Sequence, residues 1–121
     1  MEQKVRTLDF KGKKLFMDVY QYRNNDRLGI YAYTRKEPYG MVTTNLSGMA
    51  IKKNEGFIES FAKDSGLEQK LIDEGIIKKV KKTVKYNMEK YDLAVFDMEK
   101  LKEFDPSGVE EYQEENIEEF E

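Results

Sequence analysis

The side chains best suited to chemistry are charged, and they are segregated along the chain. Residues 103–121 carry nine acids (Glu103, Asp105, Glu110, Glu111, Glu114, Glu115, Glu118, Glu119, Glu121) and no base. The whole chain has 24 acids and 21 bases, so removing those nine leaves 15 acids against 21 bases in residues 1–102, a net of +6. The modest overall charge of −3 is therefore a basic body joined to an acidic tail. Within the tail the pairs Glu110-Glu111, Glu114-Glu115 and Glu118-Glu119 recur every four residues. On a helix that spacing lays carboxylates along one drifting stripe. Tyr112, Asn116 and Phe120 form another stripe, with Val109, Gln113 and Ile117 beside it. Such a rod can occupy a protein groove that otherwise holds phosphates, because affinity there is mostly electrostatic. Tyr112, Ile117 and Phe120 would then be the anchors, since buried aromatics carry most interface energy. The bland reading is a solubilising, partly disordered tail.

A second constellation is cationic. Lys78, Lys79, Lys81, Lys82, Lys85 and Lys90 stand with Glu89 as the sole acid between residues 78 and 90, a local net of +5. A stripe of this kind can bind phosphates. Lysine also guards exposed strand edges against sheet-to-sheet aggregation. A third reading folds the acidic tail back on these lysines. Aromatic residues make the last constellation: Tyr20, Tyr22, Tyr31 and Tyr33 alternate along two adjacent segments and would share one face of a hairpin. Exposed rings on a sheet can stack bases, and they also make ordinary cross-strand pairs or lie under a helix.

Catalytic chemistry has few carriers. With no histidine and no cysteine there is no thiolate nucleophile, no Cys/His zinc site and no Ser-His or Cys-His pair. Asp18, Asp26, Asp92 and Asp97 are the residues that would hold magnesium, yet no Asp-x-Asp pair or Gly-rich phosphate loop accompanies them. Carboxylate pairing of the glycosidase type has no local signature. The expectation is a binding protein with no enzyme activity, no catalytic residues, no metal and no cofactor.

The elements that must position these groups change period along the chain. Leu15, Met17 and Val19 alternate with Phe16, Asp18, Tyr20 and Tyr22; Asn24-Asn25-Asp26 reads as a turn; Leu28, Ile30 and Ala32 then alternate with Gly29, Tyr31 and Tyr33. Val5 to Phe10 adds a short strand before Lys11-Gly12-Lys13, and Tyr39 to Leu46 reads as a further strand after Pro38. Asn54 is placed to cap a helix bearing Phe57, Ile58 and Phe61 and ending at Gly66. Leu67, Leu71 and Ile72 make a second helix closed by Gly75. Ile76 to Tyr86 reads as a strand paired with Tyr91 to Phe96, with helix over Lys78 to Val84 as the alternative. Asp97 caps a last short helix, Met98 to Phe104, which Asp105-Pro106-Ser107-Gly108 ends.

The strings Tyr22-Arg23-Asn24-Asn25-Asp26-Arg27-Leu28, Glu37-Pro38-Tyr39 and Thr43-Thr44-Asn45-Leu46 form a pattern, Tyr-x-Asn-Asn-x-Arg-Leu, Glu-Pro-Tyr and Thr-x-Asn-Leu. Leu71-Ile72-Asp73-Glu74-Gly75 and Tyr91-Asp92-Leu93-Ala94-Val95-Phe96 follow it. In this the chain resembles a family of small uncharacterised proteins encoded on conjugative elements and phages of low-GC Gram-positive bacteria. It departs from the pattern at Ile58-Glu59-Ser60-Phe61, which replaces an Asp-Thr-Asn-Asn-like stretch. It departs again at the lysine run, which replaces a Gly- and Ser-containing turn. The resemblance supplies no catalytic residues. It implies an accessory gene of a mobile element, a class whose products often inhibit host restriction or CRISPR nucleases.

Together these readings predict an α+β fold: one antiparallel sheet of about five strands with two or three short helices on one face. They divide the chain into a domain at 1–105 and an acidic tail at 106–121, partly disordered or docked as a helix. The partner expected is a basic protein, such as a nuclease complex, met through Glu110, Glu111, Tyr112, Glu114, Glu115, Ile117, Glu118, Glu119 and Phe120. The alternative is nucleic acid, met through Lys78, Lys79, Lys81, Lys82 and Lys85 with Tyr20, Tyr22, Tyr31 and Tyr33. No apolar run approaches the roughly 20 residues of a membrane span, and Met1-Glu2-Gln3-Lys4 opens no signal peptide, so a cytoplasmic protein is expected.

Overall fold

A computed structural model describes residues 5–120. Two antiparallel sheets of four strands each replace the single five-stranded sheet expected. The first is a meander of β1 (Leu8–Phe10), β2 (Lys13–Gln21), β3 (Leu28–Tyr33) and β4 (Pro38–Met41) in that order. The second runs β5 (Thr43–Thr44), β6 (Glu55–Ile58), β8 (Glu89–Phe96) and β7 (Ile77–Tyr86). Five short helices complete it: α1 (Ser60–Asp64), α2 (Leu67–Asp73), α3 (Met98–Phe104), α4 (Pro106–Glu115) and α5 (Ile117–Phe120).

The division into two sheets has a local cause at Val42. Its amide donates to Ile30 O in the first sheet at 2.9 Å, while its carbonyl accepts the Glu59 amide beyond β6 at 2.9 Å. One residue thus satisfies its two backbone groups in two different sheets. The strand expected over Tyr39 to Leu46 therefore breaks there into β4 and β5. Thr43 reinforces the bend, its hydroxyl accepting the Ile30 amide at 3.0 Å.

Period-two alternation places β2 and β3 as expected. Leu15, Met17, Val19, Leu28, Ile30 and Ala32 are all buried in the main core. Phe16 pairs with Tyr33, Asp18 with Tyr31 and Tyr20 with Gly29 on the opposite face. The segment read as a helix from Asn54 differs. Glu55–Ile58 is instead the central strand β6, hydrogen-bonded to β5 and β8. Phe57 and Ile58 are both 1% exposed: Ile58 joins the main core, and Phe57 a second cluster with Leu46 and Leu93. A short apolar run buried on both faces is a central strand's signature, and its spacing alone does not separate it from a helix. Asn54 caps no helix; its carbonyl accepts the Phe96 amide at 2.9 Å. Helix α1 starts at Ser60, whose amide donates to Glu59 Oε1 at 3.0 Å.

Residues 76–86 form strand rather than helix, with β7 pairing β8 around Asn87 and Met88, both at positive φ. Asp97 caps α3 as expected, accepting the Lys100 amide at 3.2 Å. The acidic segment then continues the fold. Asp105 starts α4 by accepting the Gly108 amide at 3.1 Å, and Pro106 occupies the first turn, where a missing N–H costs nothing. Val109 and Tyr112, at 0% and 2% exposed, enter the main core beside β2. The three-residue spacing of Val109 and Tyr112 puts both on one helix face, which goes inward while the acids stay out.

Candidate functional site

Three surfaces hold the residues singled out from sequence. The first is the acidic helix. Glu110, Glu111, Glu114 and Glu115 on α4, with Glu118 and Glu119 on α5, are all exposed. Tyr112 lies beneath them as part of the core, its hydroxyl donating to Lys53 O at 2.7 Å. Phe120 is half-buried and meets the Tyr112 ring edge to face at 5.9 Å. Ile117 is the outward apolar residue, 55% exposed among the glutamates. Asn116 ties the end of α4 to β2, donating to Gln21 Oε1 at 2.7 Å. The carboxylates therefore project from a fixed scaffold.

The second surface is the edge strand β7. Lys78, Lys79, Lys81, Lys82 and Lys85 are all exposed, as is Lys90 across the hairpin. β8 stays paired to β6 only as far as Leu93, so residues 83–92 extend as a two-stranded ribbon with Met88, 92% exposed, at its tip. Among the described residues, the ion pair made by this lysine run is Lys81 Nζ to Glu55 Oε2, 3.1 Å. Burial opposes the charge of Glu55, but the Lys52 amide and the Lys81 ammonium outweigh it and hold its carboxyl below the usual value. Among the described residues, no ion pair joins the acidic tail to the run. The tail's ion pair to the body is Lys102 to Glu110 at 3.4 Å, while Lys78 and Glu119 line one groove without pairing.

The third surface is the outer face of the first sheet. Phe16 stacks on Tyr33 at 5.4 Å and 17°, and Tyr33 on Tyr31 at 5.9 Å and 16°. Tyr20 continues the face, its hydroxyl reaching Met41 Sδ at 3.6 Å. Tyr22 turns aside, with its hydroxyl 3.1 Å from Thr43 Oγ1. The fold thus separates the two halves of the nucleic-acid alternative: the tyrosines lie on the first sheet and the lysine run on the second.

Two arrangements escaped the sequence reading. One explains the motif residues. Asn25 Nδ2 donates to Asn45 Oδ1 at 3.0 Å, and Asn45 Nδ2 donates to Asn24 Oδ1 at 3.0 Å. Arg27 sends its guanidinium to the backbone carbonyls of Leu46 and Met49. The Tyr-x-Asn-Asn-x-Arg-Leu and Thr-x-Asn-Leu strings therefore clasp the hairpin turn to the loop after β5. The spacing of Asn, Arg and Asn was visible; that they meet was not, because the turn and the loop lie about 20 residues apart.

The other is a buried acid pair. Glu68 on α2 and Asp92 on β8 are 5% and 8% exposed. Thr83 Oγ1 donates to Asp92 at 2.6 Å, and Lys63 Nζ lies 3.2 Å from its other oxygen. Burial pushes the Glu68 carboxyl up to about 7, and the neighbouring Asp92 adds to the rise. Asp92 moves the other way: burial is outweighed by bonds from Thr83, Glu68 and Lys63. Glu68 Oε2 is buried without a hydrogen-bond partner, which disfavours its charged form. Among the described residues no three acidic side chains converge as a metal cage, and no helix is long and apolar enough to cross a membrane.

No curated protein and no solved structure matches the chain. A family model, the domain of unknown function DUF4313, matches residues 16–116. That stretch takes in the aromatic ladder, the asparagine–arginine clasp, the β7–β8 ribbon and the whole of α4. The chain belongs to the DUF4313 family.

Proposed function

We propose that this protein is a non-enzymatic accessory protein that binds a basic protein partner through the exposed face of α4 and α5. The observation that supports this most is the anchoring of the acidic helix. Val109, Tyr112 and Asn116 are buried while six glutamates and Ile117 face outward. A prearranged anionic surface pays less ordering entropy on binding than a floating tail. Glutamate pairs four residues apart rise about 6 Å per step on a helix, a spacing suited to cationic grooves that normally hold a nucleic-acid backbone. Ile117 supplies an apolar anchor beside them. Taken with the resemblance to mobile-element proteins, the partner class is a host defence nuclease, of restriction or CRISPR type, whose nucleic-acid groove the helix would fill in the cytoplasm.

The test is displacement of DNA from such nucleases by the full chain. Wild type should release the DNA and block cleavage. Glu111→Gln with Glu114→Gln, Glu115→Gln and Glu118→Gln should weaken this at least tenfold while leaving thermal stability unchanged. Full inhibition by that folded variant sinks the proposal.

A second reading, binding of nucleic acid by the lysine ribbon, draws on the exposed and mostly unpaired lysines of β7. It predicts a salt-dependent shift with DNA that Lys79→Glu, Lys82→Glu and Lys85→Glu abolish. Lys81 is left out because its loss strands the buried Glu55.

A further inference from the structure

The outer face of the first sheet has cationic neighbours that the tyrosine spacing did not reveal. Lys14 lies two residues before Phe16 on β2, and alternation puts both on one face. Arg35 lies two residues beyond Tyr33, and its guanidinium sits 5.8 Å from the Phe16 ring centre. Lys36 follows. With Lys13, Glu37 and Thr34 these side chains line an open groove of about 940 Å³ at one end of the ladder. Lys13 is already engaged by Glu37 at 3.9 Å, which leaves Lys14, Arg35 and Lys36, all exposed, without an ion pair among the described residues.

The rings themselves are offset. Planes within 17° of parallel and centres 5.4 and 5.9 Å apart mean that they overlap like shingles, leaving part of each face uncovered. All three are only partly buried, whereas the inner face of the same strands is closed. Asp18 flanks the middle of the ladder, accepting the Tyr33 hydroxyl at 3.1 Å, and at the far end the charge reverses, with Asp105 and Glu111 near Tyr20, Tyr31 and Met41. Aromatic faces bordered by cations at one end and carboxylates at the other suit a ligand with stacking groups and one anionic flank. A base stack needs rings, a backbone needs cations, and only unpaired bases can reach rings on a sheet surface.

We propose that this face binds single-stranded nucleic acid, with bases on Phe16, Tyr33 and Tyr31 and phosphates at Lys14, Arg35 and Lys36. The acidic end repels the backbone, so the site is short, about two or three nucleotides, as on other stacking sheets. The site borders α4 at Glu111 and is distinct from the lysine ribbon.

The experiment is fluorescence anisotropy of labelled eight-nucleotide poly-dT and poly-U strands with the full chain at low salt. Binding is expected, with a log–log salt slope near −2 for about three phosphate contacts. Lys14→Gln with Arg35→Gln and Lys36→Gln should weaken it tenfold or more; these residues are exposed, so the fold is kept. Tyr31→Leu with Tyr33→Leu should do the same at unchanged salt slope, separating stacking from charge. Quenching of tyrosine emission on addition of strand gives a readout that needs no variant. Glu114→Gln with Glu118→Gln and Lys79→Glu with Lys82→Glu should leave the affinity within twofold. Absence of binding at low salt overturns the proposal. So does equal affinity for duplex, equal affinity for polyglutamate, or loss of binding only in the β7 variant.

Discussion

The carboxylate of Asp105 accepts the backbone amide of Val19 at 2.8 Å. One side chain thereby closes two gaps. β1 covers β2 only from Lys13 to Leu15, so the Val19 amide has no strand partner on that side. The other Asp105 oxygen caps α4. Asp105→Ala should cost about 2–3 kcal/mol, one cap plus one buried amide left unpaired, read by urea denaturation. Asp105→Asn should cost less, since its amide oxygen still accepts one bond. Equal stability of Asp105→Ala and wild type refutes this role.

Gly108 sits where the helix meets β2, and an added Cβ would stand 2.6 Å from Val19 O. Backbone cannot yield as a flexible side chain does. Gly108→Ala is expected to destabilise by about 2 kcal/mol or more through overpacking, despite alanine's better helix propensity. A melting temperature above wild type contradicts the tight approach.

Tyr112 makes the acidic segment part of the core. Tyr112→Phe removes only the bond to Lys53 O and should cost about 1 kcal/mol; Tyr112→Ala leaves a cavity and should cost about 3–5 kcal/mol. A chain ending at Asp105 should lose near-ultraviolet circular dichroism and bind a hydrophobic dye, because it leaves the Val109 and Tyr112 sites open. A native spectrum for that truncation disproves the assignment. Charge substitution, not deletion, is consequently the sound way to probe the helix surface.

The buried acid pair sets a pH dependence. Glu68 has a folded value of about 7. Its ordinary value lies near 4.5, so between those limits the folded state holds more protons than the unfolded one. The stability Glu68 contributes is therefore complete below about pH 4.5 and lost as pH rises through 7. Asp92 works oppositely at lower pH, its depressed value stabilising the fold until protonation removes it. Glu68→Gln mimics the protonated acid. Its gain over wild type should be small at pH 5 and grow to about 3 kcal/mol at pH 8, on the order of 10 °C in melting temperature. Parallel pH profiles for the two proteins rule out a protonated Glu68 in the folded state.

How far the fold could be read depended on the range of the interactions. The β2–β3 hairpin was legible because alternation is local and its inner face is uniformly apolar. Asp97 announced α3 for the same reason: a cap acts within three residues. The split at Val42 was not legible, because it rests on two backbone bonds to segments far apart in sequence. Phe57 and Ile58 misled because a helix and a doubly buried strand can share one spacing. Lys14 and Arg35 were within reach, since alternation along β2, and carried past the end of β3, puts them beside the rings. The tyrosines drew attention instead to a lysine run that lies in the other sheet.

Arg27 holds the loop after β5 by the carbonyls of Leu46 and Met49. Ala50 in that loop is exposed, but Gly48 holds a φ of +82° and Ser47 Oγ lies 3.1 Å from the Tyr86 hydroxyl. The segment is thus strict about length and about its glycine. Substitutions at Ala50 should pass unnoticed and Gly48→Ala should destabilise, whereas a single inserted or deleted residue would move one carbonyl out of the fork and release Leu46 from the second core.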